Sequence, residues 1–253
     1  MPASLPALRR SEPPLSLVVV AGLVVGALVM WAAIGVRELG ASARATVTGS
    51  EADATDWTRE GWPVDPARPW EGAVVRISTT RCGDEIRGSG VVVDGAVLTN
   101  RHVVDDAAEV VVTTADGTAH RARSLAVSDH VDLASIGLDD LDVPDASWAT
   151  GQLAVPARGL TLVGFPNGHR FSTREVGATG TLHGWGYPDP DQAVHLDHDV
   201  VPGESGSALV DARGRVAGLL YARAISDGNG LVIGASDARS EVRRLTSTAF
   251  VAC

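Results

Sequence analysis

Lysine is absent from this 253-residue chain: all 21 basic residues are arginine, and 31 carboxylates outweigh them to a formal charge of −10. An acidic chain with no basic stripe has little to offer a phosphate backbone, which excludes nucleic acid as a partner. Aromatic residues make up only 4% against 45% apolar residues in all. Any core must therefore be built from Val, Leu, Ala and Ile. Cysteine is nearly absent too, with Cys82 at the front of the folded region and Cys253 as the last residue. A pair that closes almost the whole domain reads as a staple suited to an oxidising compartment, the alternative being two unrelated free thiols.

Long apolar runs are also missing, with one exception. Residues 17–36 carry no charge and are dominated by Val, Ala, Leu and Gly, long enough as a helix to cross a hydrocarbon core of about 30 Å. A cleaved leader is the competing reading, and Ala41-Ser42-Ala43 offers a small-residue cleavage pattern. The run exceeds an ordinary leader core, so a retained transmembrane helix is expected. Arg9 and Arg10 before it and Arg37 and Arg44 after it leave orientation open on charge. The cysteine staple places the following domain on the extracytoplasmic side, with residues 1–16 in the cytoplasm.

Residues 37–71 are polar and proline-bearing and show no sustained period, as in a tether. Trp57, Trp62 and Trp70 are costly in a purely disordered linker, so its later half is expected to pack on the domain. From residue 72 to 253 the pattern changes to short β-type runs: 73–78, 90–93, 96–99, 109–114, 120–127 and 133–138, then 153–155, 161–164, 175–182, 193–199, 208–210, 216–222 and 231–234. Asp94-Gly95 and Asp116-Gly117 mark hairpins between them. Evenly spaced short strands with glycine-rich turns imply closed sheets. A helical pattern over 236–245, with arginines in its last turn, ends the domain.

Three segments carry chemistry: Leu98-Thr99-Asn100-Arg101-His102-Val103-Val104, Val131-Asp132-Leu133-Ala134, and Pro202-Gly203-Glu204-Ser205-Gly206-Ser207. A serine hydroxyl is a poor nucleophile at neutral pH and needs a base, and the base needs a carboxylate to orient it. Ser205, His102 and Asp132 fit those roles. Asp132 is preferred to Asp129 because it opens an apolar strand that can bury it, whereas Asp129 sits in a polar turn. Gly203 and Ser205 can aim their backbone N–H groups at one point, the requirement for stabilising an oxyanion.

At these residues, and over roughly 72–250, the chain resembles the chymotrypsin-like serine proteases, in particular their compact bacterial, HtrA-like branch. The resemblance implies two six-stranded antiparallel barrels packed face to face, with the site in the cleft and one C-terminal helix following. It implies an endopeptidase that forms an acyl-enzyme on Ser205, needs no cofactor, and takes a polypeptide substrate while its helix sits in a lipid bilayer. Tyr221, Ala222 and Arg223 would pair with an extended substrate. The segment from Asp197 to Pro202 would line the primary pocket, with Asp199 where some members carry an acid that selects Arg or Lys. No metal is expected, since His195 and His198 on one strand would face opposite sides. The chain departs from the family's Gly-Asp/Asn-Ser-Gly-Gly pattern at Glu204 and Ser207. Animal members pair that acid with a freed apolar N-terminus, and no such Ile-Val-Gly-Gly segment occurs here, so Glu204 needs another partner. A silent protease-like module that binds peptides or senses envelope conditions is the alternative these departures leave open. No peptide-binding domain is expected after the protease-like region.

Overall fold

The computed structural model describes residues 60–139, 141–183 and 190–253. The expected spanning helix at 17–36, most of the 37–71 tether and Trp57 lie outside them. No helix of the described residues is long and apolar enough to cross a membrane.

The first lobe is a sheet of β1 (Val74–Thr80), β2 (Glu85–Val93), β3 (Ala96–Thr99), β4 (Glu109–Thr113), β5 (Ala119–Arg121), β6 (Ser124–Val127), β7 (Ala134–Gly137) and, from the far end of the chain, β14 (Thr246–Thr248). β2 and β3 are joined as expected at Asp94-Gly95, where both residues take positive φ (51° and 74°), the requirement of the tight hairpin turn whose twist matches its strands. Strand order is β14-β6-β7-β3-β2-β1-β4-β5. This corrects the first of the two expected six-stranded barrels: the lobe is an eight-stranded open sheet. The run 120–127 splits in two because β5 pairs back onto β4 while β6 pairs with β7. The C-terminal β14 then adds to the outer edge of β6.

The second lobe closes as expected, from β8 (Ala157–Gly164), β9 (Ser172–His183), β10 (Gln192–Asp199), β11 (Ala208–Val210), β12 (Val216–Arg223) and β13 (Asn229–Gly234). Alternation along the strands sends Leu160 and Leu162 of β8 and Val194 and Leu196 of β10 into the barrel with Leu220 and Val232. Leu153 and Val155 are not a strand; they pack on this core from a loop. A separate apolar cluster joins the lobes, with Ile77, Leu98 and Val103 from the first and Val163, Phe165 and Tyr221 from the second. That shared core fixes the cleft between them.

Among the described residues two short α-helices accompany the sheets, α1 (Arg101–Val104) and α2 (Ala235–Val242). The latter starts one residue earlier and stops three residues short of the expected 236–245, with Gly234 rather than a side chain at its cap. Cys82, in the β1–β2 turn, is disulfide-bonded to Cys253 with Cα atoms 5.3 Å apart. Trp62 packs on the domain, edge-on to Phe165 (4.7 Å between centroids) and stacked on Phe171 (5.9 Å).

Candidate active site

Asn100 leaves β3 with extended backbone and caps α1, which turns His102 out of the first lobe. The Asn100 side-chain amide donates to the backbone carbonyl of Asp132 (2.9 Å), which fastens the two segments together. Asp132 is 5% exposed. One of its carboxylate oxygens accepts from the His102 backbone N–H at 2.9 Å and the other meets His102 Nδ1 at 2.5 Å. A carboxylate held by two donors assigns the ring proton to Nδ1 and leaves Nε2 as acceptor. His102 Nε2 lies 2.9 Å from Ser205 Oγ. Asp129 is 70% exposed and pairs with Arg101, so it is removed from this array.

The nucleophile turn is built from the second lobe. Pro202's carbonyl accepts from Asn167 N–H at 2.6 Å, and Glu204 N–H closes a four-residue turn on Val201 (3.3 Å). Gly203, at the third place of that turn, has φ +85°, a left-handed conformation that costs glycine nothing. The N–H groups of Gly203 and Ser205 donate to no acceptor among the described residues. Two unclaimed donors beside a serine hydroxyl are what a developing oxyanion needs. Gly206 (φ +83°) has no room for a side chain, because a Cβ there would run into the Ser89 carbonyl.

Ser89 escaped the sequence reading, although it binds the turn from the other lobe. Its N–H donates to the Ser205 carbonyl (2.8 Å), its hydroxyl donates to the Gly203 carbonyl (3.0 Å), and that oxygen accepts from Phe165 N–H (2.9 Å). Thr99 Oγ1 in turn donates to the Ser89 carbonyl at 2.7 Å. The only sequence signal is a small residue between Gly88 and Gly90, where strands approach closely. Arg81, beside the disulfide, donates to the His102 carbonyl at 2.6 Å. Ser207, a departure from the family pattern, is 1% exposed and fits against Gly164, where any Cβ would collide with its hydroxyl.

The expected substrate-contacting residues are placed as follows. The ladder of β12 with β11 stops at Leu219, so Ala222 and Arg223 pair with β13 alone. Tyr221 is 4% exposed and belongs to the interlobe core. Asp199 is 73% exposed and pairs with Arg223 at 3.0 Å. His195 pairs with Asp227 at 3.1 Å and with Thr179, whereas His198 is buried against Glu204.

Two β-lobes with a Ser-His-Asp hydrogen-bonded array at their junction define the chymotrypsin-like fold. Residues 88–219 match the family model of the trypsin-like peptidase domain, and the chain belongs to that family. It is 27% identical over 189 residues to the serine protease Rv3671c of Mycobacterium tuberculosis, covering 70% of this chain and 47% of that one. It is 33% identical over 164 residues to the putative serine protease HhoA of Synechocystis sp., covering 61% and 41%. The crystal structure of the active form of the M. tuberculosis Rv3671c protease superposes with a TM-score of 0.64 at 26% identity, covering 77% of this chain and 93% of that one. The chain spans under half the length of the curated relatives it matches.

Proposed function

We propose that this chain is a serine endopeptidase that works through His102, Asp132 and Ser205. The observation that carries the reading is the continuous array from Asp132 through His102 to Ser205, with 2.5 Å and 2.9 Å links, beside two unclaimed backbone donors. Ser205 Oγ attacks the substrate carbonyl while His102 Nε2 takes its proton, and Asp132 stabilises the imidazolium that forms. The N–H groups of Gly203 and Ser205 hold the oxyanion, each typically worth about 2.7–4 kcal/mol of barrier. His102 then returns the proton to the leaving amine. Water, activated by the same imidazole, hydrolyses the acyl-enzyme. An extended substrate pairs with β12 at Ala222 and Arg223, where that strand has a partner on one side only.

The wider setting belongs to the same proposal: residues 17–36 hold the domain to the cytoplasmic membrane, on its extracytoplasmic face. The disulfide supports an oxidising compartment, and a relative 30% identical to this chain is named a probable periplasmic serine endoprotease. The full chain in detergent should label with a fluorophosphonate probe and cleave a peptide library, and Ser205→Ala should do neither. Labelling that persists in Ser205→Ala, or a wild-type chain that never labels, refutes the assignment. Carbonate extraction of native membranes should leave the chain in the pellet; release into the supernatant refutes the anchor.

A further inference from the structure

We infer that His198 is a positioning residue: it is the internal partner of Glu204 and holds the turn that presents the Gly203 and Ser205 N–H groups. The inference rests on the peptidase reading above and adds a residue that the three signature segments do not contain.

Glu204 precedes Ser205 and is 4% exposed; His198 is 7% exposed. His198 Nε2 lies 3.0 Å and 3.1 Å from the two Glu204 carboxylate oxygens. One of those oxygens also accepts from Val201 N–H at 2.9 Å. Glu204 N–H donates to the Val201 carbonyl, and the Glu204 carbonyl accepts from Ser207 N–H at 2.8 Å. Every polar group of Glu204 is therefore committed to the shape of residues 201–207. His198 is the side chain that secures the carboxylate, reaching it from the inward face of β10 in series with Val194 and Leu196.

A buried carboxylate deprived of its partner is strongly destabilised and relaxes by moving toward water. Such a movement rotates the peptide units on either side of Glu204, which carry the N–H groups of Glu204 and Ser205 and adjoin that of Gly203. The damage should fall on stabilisation of the tetrahedral state rather than on substrate affinity. His198 lies six residues upstream on the same chain, so the partner is in place without any cleavage that frees an N-terminus.

The test uses the full chain in detergent and compares His198→Ala, His198→Gln, Glu204→Gln and the His198→Ala/Glu204→Gln double variant. Readouts are fluorophosphonate labelling at Ser205, kcat and KM on one fluorogenic peptide, affinity for a peptidyl boronate that mimics the tetrahedral state, and thermal midpoint. His198→Ala should lose about 10²-fold in both kcat and boronate affinity with KM within about threefold, the scale of losing one oxyanion donor. His198→Gln, whose amide can donate to the carboxylate, should recover about tenfold of the loss. In the Glu204→Gln background the His198→Ala effect should shrink to about threefold, as expected of residues that act through each other. Wild-type kcat and boronate affinity in His198→Ala overturn the inference, as does a loss of the same size in the Glu204→Gln background. If His198→Ala does not fold, His198→Gln decides: a loss confined to KM, or none at all, overturns it. A wild-type chain that fails to label at Ser205 overturns the peptidase reading itself, whereas wild-type labelling beside an unaffected His198→Ala overturns only the role given to His198.

Discussion

Ser89→Ala removes one oxygen and leaves the rest of the residue's connections standing, because the Ser89 N–H to Ser205 carbonyl bond and the Thr99 to Ser89 carbonyl bond use backbone atoms. What disappears is the link between the Gly203 carbonyl at 3.0 Å and Phe165 N–H at 2.9 Å. Ser89 is 0% exposed, so water cannot replace the hydroxyl without opening the interlobe core. Each of the two buried groups left without a partner costs about 1–3 kcal/mol, and about 3 kcal/mol is expected in all. For a folded region of this size each kcal/mol lowers the thermal midpoint by about 2–4 °C, which gives a drop of about 6–12 °C. The Gly203 peptide also loses its fixed orientation, and kcat should fall about tenfold, equivalent to about 1.4 kcal/mol of barrier. KM for the same peptide should stay within about twofold, because the lost bond supports the oxyanion turn and not the substrate strand. Differential scanning fluorimetry and steady-state assays on purified protein read both effects. A midpoint within 1 °C of wild type, or a loss carried by KM with kcat intact, refutes the role assigned to the Ser89 hydroxyl.

Asp132→Asn presents an amide to His102 Nδ1 and favours the wrong ring tautomer; kcat should fall about 10⁴-fold with the fold intact, and a loss under tenfold would show that His102 is oriented by something else. Trp62→Ala removes the ring contacts to Phe165 and Phe171 and the face beneath the Arg76 guanidinium. For a half-buried ring this costs about 2 kcal/mol, and because Asn167 of the same loop holds the Pro202 carbonyl, kcat should drop with the midpoint; unchanged values for both would detach the tether from the site. At Glu241 burial opposes the charge, but hydrogen bonds from Ser128 and His130 and the charges of His130 and Arg244 outweigh it and hold the carboxyl below its ordinary 4.5. A depressed carboxyl stabilises the fold above its unfolded value and stops doing so as pH falls through the lower folded one. The urea midpoint should therefore decline below about pH 4.5 with a steepness that Glu241→Gln reduces; an identical profile in the variant contradicts the assignment.

The all-β character and most strands were legible because alternation is a local signal, and the Asp94-Gly95 turn was legible because only certain residues tolerate two consecutive positive φ angles. The open, eight-stranded form of the first lobe was not legible. It depends on which distant segment covers the edge of β6, and β14 lies about 120 residues further along in a Thr-Ser-Thr stretch with every side chain exposed. The Leu153–Val155 run misleads for a related reason: loop residues that pack on the barrel core carry the same apolar signature as a strand within it.

The site divides along the same physical line. His102, Asp132 and Ser205 could be singled out as candidates because the chemistry proposed for them demands specific residue types in local contexts that one sequence displays, and the structure brings the three within hydrogen-bond distance of one another. Ser89, Asn167 and His198 could not, since each acts through geometry: a backbone N–H, a buried hydroxyl, or an imidazole that reaches the acid beside the serine only after β10 has folded. Glu204 and Ser207 read in the sequence as departures from the family pattern that leave a silent module open, because a motif records what a residue replaces and not what it meets. In place, Glu204 meets His198 and Val201 N–H, and Ser207 fills space that Gly164 leaves empty. A side chain larger or more polar than the family pattern fits within such a turn where a second position supplies the room or the partner it needs. Gly164 gives a direct measure of this coupling: a Cβ there would collide with the Ser207 hydroxyl and also meet Ser89 Oγ at 2.7 Å, so Gly164→Ala should lower kcat in both backgrounds but less beside Ser207→Gly, and a kcat loss that Ser207→Gly leaves wholly unrelieved would show that Ser89, and not Ser207, sets the space at this position.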